Sequence, residues 1–406
     1  MTEAHSQRAH ARLAPSAAHR WLNCPGSVAA SVGIPETNSR FADEGTAAHT
    51  LVEYCFRENL DADVCLGLWI DVETGTICGG TGRAIQGDNV FEVTEEMAEA
   101  AQMFLDYVRP LCEGAEVEVE AELDLRHIEG MDFGTGDFTA YNPVGKWLAI
   151  VDFKYGSGVV VEVAEADGAG LKVNPQLGTY ACGVVKRYAT RGLKRVRLIV
   201  IQPRAPHRNG PVREVEIPAI DLMDFEQDLR EGAAAALAPG APRHAGDWCR
   251  FCPASGQCEE QANQARAVAE DVFGELLAPA AISGEKLADT LRKAHLLKDW
   301  LKALQEYAHS EALAGRVPPG FKLVPKRAIR KWAAGALDVL PLDEADLYVR
   351  EPKSPAEVEK LMPGKNKEER AAALAPFVVK ESSGTNLVPD DDPRAPARPS
   401  LLEAIE

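Results

Sequence analysis

Four cysteines constrain this chain more than any other feature. Cys24 stands alone in WLNCPGS, while Cys249, Cys252 and Cys258 lie far downstream in DWCRFCPASGQCEE, spaced C-x2-C-x5-C with Pro253 after the middle member. Three clustered thiolates and one remote thiolate can close a four-sulfur cage around a 4Fe–4S cluster or a zinc ion. Four-cysteine zinc sites usually come as two close pairs, so the one-plus-three split favours iron–sulfur. Either metal would pin the N-terminal segment to the downstream cluster and clamp everything between them. The role implied is structural, with metal–thiolate bonds replacing apolar burial.

Nine cysteines, an odd number in a chain of 406 residues, argue against a disulfide framework and for a reducing compartment. Cys55, Cys65, Cys78, Cys112 and Cys182 show no ligand spacing and read as small buried hydrophobes. No apolar run reaches membrane-span length, and the opening MTEAHSQRAHARLAPSAAHR lacks an apolar signal core, so a cytoplasmic location is expected. A net charge of −18 speaks against a protein that coats nucleic acid, yet leaves room for an enzyme with a local basic track. Basic residues cluster over 186–197, 204–213 and 322–331, where each group reads equally well as a solvated face.

Periodicity sets the order of elements. A short helix is expected around HRWLNCP, and 44–59 reads as a helix with Leu51, Val52, Cys55 and Phe56 on one face. The Gly- and Asp-rich stretch 60–92 reads as loop, and Thr94 as the cap of a helix through EEMAEAAQMFLDYVRPL. The period then changes to two. Strands are predicted at 116–125, 133–142 and 146–154, the last more uniformly apolar and so central, with 159–163 as an extension or edge. A helix over 174–189, strands at 195–203 and 212–217 and a helix over 221–237 complete a small mixed sheet flanked by helices. Beyond the cysteines, 283–315 is a long amphipathic helical pattern and 320–332 reads as extended. The chain then reads as helical in pieces and ends in a Pro- and Asp-rich tail expected to be disordered.

Chemistry concentrates on the predicted central strand. Asp152 and Lys154 in VDFKYG are two apart and share a face. Asp137, one hairpin earlier in GTGDFTA, can converge on Asp152, and two close carboxylates favour a divalent cation between them. A lysine beside them can orient a water or stabilise charge growing on a phosphate. Gln176 and Tyr180 follow on one helix face, and His49 offers a further ligand. Glu118 and Glu120, on the preceding strand, are candidate accessory acids.

In this order and spacing, His49, Asp137, Asp152 with Lys154, and Gln176 with Tyr180 resemble the PD-(D/E)XK nuclease superfamily. The likeness is to its RecB-type and AddB-type branch, which includes the CRISPR-adaptation exonucleases. The iron–sulfur members of that branch carry one cysteine before the nuclease core and C-x2-C-x5-C-like spacing after it, as Cys24, Cys249, Cys252 and Cys258 do. The resemblance covers roughly residues 15–265. It implies a restriction-endonuclease-like α/β fold with an iron–sulfur clamp and a mainly helical C-terminal extension. It further implies Mg²⁺ or Mn²⁺ on Asp137, Asp152 and His49, a water positioned by Lys154, and Gln176 and Tyr180 orienting the DNA strand or the lysine. The whole chain, including KRAIRKW and KSPAEVEKLM, is also similar to a family found in bacteriophages and prophages, a likeness that carries no mechanism.

The expected organisation is a nuclease domain over 1–265, a helical region over 266–385 and a tail over 386–406. The expected function is a metal-dependent DNA exonuclease acting on ends or single strands in phage recombination or repair, in a bacterial host cell. A phage recombination or single-strand-binding protein would be its partner. The alternative is a non-cleaving iron–sulfur DNA-binding scaffold supporting such a partner. No Walker-type phosphate loop is visible, so any unwinding must come from elsewhere.

Overall fold

The computed structural model describes residues 12–34, 40–79, 89–167, 170–273, 282–324 and 367–374. The chain divides into two compact units, residues 1–324 and 325–406. The expected domain limit at 265 falls inside a helix of the first unit, and the expected tail over 386–406 lies outside the described residues. In the second unit the described element is a helix over Lys367–Leu374.

The first unit is built on a five-stranded mixed sheet of β4 (Glu116–Asp124), β5 (Phe133–Asn142), β6 (Trp147–Phe153), β9 (Arg195–Ile201) and β10 (Val212–Pro218). Their order is β10-β9-β6-β5-β4, with β6 and β9 parallel and every other pair antiparallel. The uniformly apolar β6 is central, as expected for a strand covered on both faces. Its alternate residues feed two cores. Ala149, Val151 and Phe153 pack with helices α3 (Arg40–Arg57) and α4 (Glu95–Leu111). Leu148 and Ile150 pack with helix α5 (Pro175–Ala189). A third core joins helices α1 (Ala18–Asn23), α2 (Ser27–Ala30) and α6 (Leu222–Leu237) through Trp21, Val28, Leu229 and Ala233.

The helix ends follow local chemistry. The Thr94 hydroxyl accepts the Met97 N–H at 3.3 Å and caps α4. The Asn174 side chain accepts the N–H groups of Gln176 and Leu177 at 3.0 and 3.3 Å, with Pro175 at the first turn of α5.

Two expectations need correction. The stretch 60–92 holds a small antiparallel sheet of β1 (Trp69–Asp71), β2 (Thr76–Cys78) and β3 (Val90–Glu92). Its three-residue strands are too short to show a period of two. Residues 159–163 form no strand. The extended pair comes later, as the hairpin of β7 (Ala164–Asp167) and β8 (Gly170–Val173), because 159–161 is held by side chains rather than by a ladder. Of the five cysteines without ligand spacing, Cys55, Cys65 and Cys182 are buried, and Cys78 and Cys112 are partly so.

Past the sheet, 3-10 turns at Asp247–Phe251 and Ser255–Gln257 carry the cysteine cluster and lead into α7 (Glu259–Phe273) and α8 (Gly284–Leu313). The helix α8 lies against these turns. A Cβ on Gly256 would sit 3.0 Å from the Ala303 carbonyl oxygen, so glycine permits the approach. The N-terminal segment packs as tightly against 241–242. The Gly26 N–H donates to the Pro242 carbonyl at 2.8 Å, and a Cβ there would lie 2.5 and 2.8 Å from the Ala241 and Pro242 carbonyl oxygens. Backbone cannot yield as a flexible side chain does, so Gly26→Ala should destabilise the fold by about 1–3 kcal/mol. Urea melts of the two proteins test this, and coincident midpoints would refute it.

Candidate functional site

The site lies where two strands part. The β5–β6 ladder ends at Phe138↔Val151. One step further, β6 continues to pair with β9 (Asp152↔Val200) and β5 with β4 (Ala121↔Gly136). Asp137 and Asp152 therefore face one another across the fork. Instead of a backbone carbonyl, the Asp137 carboxylate takes the Phe153 N–H, at 2.6 Å. Both acids are buried, at 8% and 3% exposure.

The elements around the fork each supply polar groups. His49 on α3 reaches Asp137 with Nδ1 at 3.4 Å, its ring edge-on to Phe153. The Lys154 ammonium lies 3.1 Å from the Asp152 carboxylate. Gln176, in the first turn of α5, uses both ends of its amide. Its oxygen accepts from Lys154 at 3.0 Å, and its NH₂ donates to Asp152 at 3.2 Å and to the Tyr180 hydroxyl at 2.8 Å. All six residues singled out in the sequence thus belong to one cluster.

The charges compensate one another. Burial alone would lower the His49 pKa, but the Asp137 carboxylate outweighs it and raises it to about 9. Burial would raise Asp137, and the neighbouring His49 and Lys154 charges bring it below its ordinary value. Asp152 stays raised, because burial and the Asp137 charge outweigh the attraction of Lys154. Lys154 is itself raised, because Asp152 and Asp137 overcome the cost of its burial. Tyr180 is held well above its usual range by burial and by both aspartates.

The two accessory glutamates separate. Glu118 is paired with Arg187 of α5, at 2.6 and 2.8 Å. Glu120 joins the cluster, with His49, Glu120 and Asp137 ligand atoms all within 4.8 Å of one another. Alternation along an exposed edge strand could not distinguish them.

A second set of residues went unnoticed in the sequence. The buried Gln202 donates to the Gly156 and Val159 carbonyls at 2.9 and 2.7 Å and accepts from the Val161 N–H at 3.0 Å and from Arg213 at 2.7 Å. Arg213 also donates to the Val161 carbonyl. This pair fixes the segment that follows Lys154. A glutamine just before Pro203 at a strand end was the available signal.

Cys24, Cys249, Cys252 and Cys258 line one cavity with Ser27 and His244. Backbone N–H groups of His244 and Gly246 point at the Cys24 and Cys249 sulfurs, at 3.3 and 3.4 Å. Burial, reinforced by the other three cysteines, pushes the Cys249 thiol up to about 11, the setting in which a cation would hold a thiolate. The Ser27 hydroxyl is buried and, among the described residues, has no hydrogen-bond partner. Four cysteine sulfurs converging on one cavity are a donor set that fits either a zinc ion or an iron–sulfur cluster.

Over residues 10–395 the chain matches the family described as "Protein of unknown function (DUF2800)". It belongs to that family. The matched span contains every residue of the carboxylate cluster and all four cavity cysteines, so both sites lie inside the family's own sequence. Among the described residues, no helix is long and apolar enough to cross a membrane.

The His49–Asp137 contact has a pH signature in metal-free protein. A histidine raised from 6.5 to about 9 on folding contributes stability that is complete below 6.5 and lost as pH rises through 9. Thermal melts of metal-free protein should show Tm falling across that window, with a shallower fall for His49→Gln. Parallel profiles would show that the pair does not form.

Proposed function

We propose that this chain is a Mg²⁺- or Mn²⁺-dependent deoxyribonuclease of the PD-(D/E)XK type, of the RecB-like iron–sulfur kind, acting as an exonuclease on DNA ends or single strands. The observation that carries the reading is the Gln176 amide, which ties Asp152, Lys154 and Tyr180 into one network at the strand fork. A plain surface ion pair needs no such support, whereas a reacting group needs its geometry fixed.

Asp137, Asp152 and His49 would hold the metal. When bound, it would polarise the scissile phosphodiester and lower the pKa of a water. The rest is done by the chain. Lys154, kept protonated by the aspartates and aimed by Gln176, places a positive charge and hydrogen-bond donors where the attacking water and the developing phosphate charge must sit. Gln176 keeps the ammonium from collapsing wholly onto Asp152. Tyr180, kept neutral, anchors the far end of that amide. Cys24, Cys249, Cys252 and Cys258 would hold a 4Fe–4S cluster that fastens the N-terminal segment to the end of the sheet domain. The setting consistent with this chemistry is phage DNA recombination or repair in the bacterial cytoplasm, beside a recombination or single-strand-binding protein.

Purified protein with Mg²⁺ or Mn²⁺ should degrade end-labelled single- or double-stranded DNA. Asp152→Ala and Lys154→Ala should each lower the rate by about 10²-fold or more. Equal, metal-independent signal in all three would reject catalysis and leave a non-cleaving DNA-binding scaffold as the reading. For the cage, Cys249→Ala should lose iron and the brown visible absorbance and melt at lower temperature. Unchanged metal content and melting would remove the cluster from the account.

A further inference from the structure

Glu120 stands in the middle of β4 with a φ of +50°, in the left-handed region that side chains other than glycine, asparagine and aspartate rarely adopt. Val119 pairs with Phe138 and Ala121 with Gly136, so no residue is inserted and the register is unbroken on both sides. Glu120 alone is turned out of the ladder, opposite Asp137. The register places Glu120, Asp137 and Asp152 in one row across three adjacent strands, and both seams lose their backbone pairing at that row. A regular strand would carry a residue there without strain. This chain instead accepts a strained residue there, and the Glu120 carboxylate comes within ligand range of His49 and Asp137.

We infer that Glu120 is a further metal ligand of the proposed centre, joining His49 and Asp137 there from the strand on the opposite side of Asp137 from Asp152. The inference rests on the metal-dependent reading above. Two carboxylates and one imidazole form a mixed oxygen–nitrogen set that suits Mn²⁺ better than the all-oxygen shell preferred by Ca²⁺. Asp152, held by Lys154 and Gln176, is left to face the reacting phosphate as well as the ion. The neighbouring Glu118, engaged with Arg187, has no part in it.

Mn²⁺ is the probe. Its binding is followed by calorimetry and by the loss of the free-ion electron paramagnetic resonance signal, with no DNA present. Glu120→Gln preserves size and backbone demand but removes the charge, and should weaken Mn²⁺ binding by about tenfold or more while the metal-free Tm stays near wild type. Glu120→Gly relieves the positive φ. It should match or exceed the wild-type metal-free Tm and still lose affinity, which a purely structural glutamate would not do. Glu118→Gln should bind Mn²⁺ as wild type does. If wild type binds Mn²⁺ and Asp137→Asn does not, while both Glu120 variants bind normally, Glu120 is no ligand and the metal-dependent reading survives. If wild type itself binds no Mn²⁺, that reading fails and this inference with it.

Discussion

Two carboxylates are buried side by side where β5 and β6 separate, and the rest of the site answers to that burial. Neither Asp137 nor Asp152 can be left ionised and unpaired in an apolar layer, because the penalty is several kcal/mol per charge. The fold meets the problem from every direction. Phe153 gives Asp137 a backbone donor, α3 brings His49, the end of β6 brings Lys154 and α5 brings Gln176. An apolar pair at these two positions would remove the whole cost. Retaining the acids, and surrounding them with compensating groups drawn from three elements, is arrangement for use rather than for stability.

The compensation is incomplete. Three carboxylates, Glu120, Asp137 and Asp152, share the cluster with one lysine and one histidine, and the histidine counts only while protonated. His49 is raised because the Asp137 carboxylate outweighs its burial, and Asp152 is raised first by burial and then by the Asp137 charge. The excess of carboxylates is what a divalent cation would neutralise. The same argument applies at the other end of the domain, where four thiols and a buried serine hydroxyl converge on one cavity. Under the proposed reading a metal completes both places, a hard cation among the carboxylates and a soft one among the thiols.

The main site was legible in the sequence because its residues lie at fixed offsets within single elements. Asp152 and Lys154 share a strand face, Gln176 and Tyr180 share a helix face, and Asp137 is one hairpin from Asp152. Such offsets survive any error in the tertiary picture. The strand order β10-β9-β6-β5-β4 was not legible, nor was the fork, since both depend on pairings between segments far apart in the chain. Glu120 and Glu118 were inseparable for a sharper reason. They occupy equivalent positions in an alternating strand, and only a backbone excursion at one residue assigns one to Arg187 and the other to the carboxylate row. The three short strands within 60–92 and the Gln202–Arg213 clamp are likewise products of long-range contact that leave no period behind.

The expected basic track fares differently. Lys186, Arg187, Arg191, Arg195 and Arg197 are ion-paired with Glu226, Glu118, Glu116, Glu216 and Glu214, and Arg204 with Glu44 and Glu96. Arg213 is spent on backbone carbonyls inside the fold. In these two stretches most of the basic side chains named are ion-paired within the fold, and the third basic cluster, 322–331, lies mostly outside the described residues. A net charge of −18 gives the chain no general attraction for DNA. Under the proposed reading, the strongest local attraction for a phosphate then comes from Lys154 and from the cation beside it. Metal binding would serve the approach of the strand as well as its cleavage. Such an enzyme would hold one phosphate at a time at the fork rather than grip a length of duplex, which is the behaviour of a protein that works from an end.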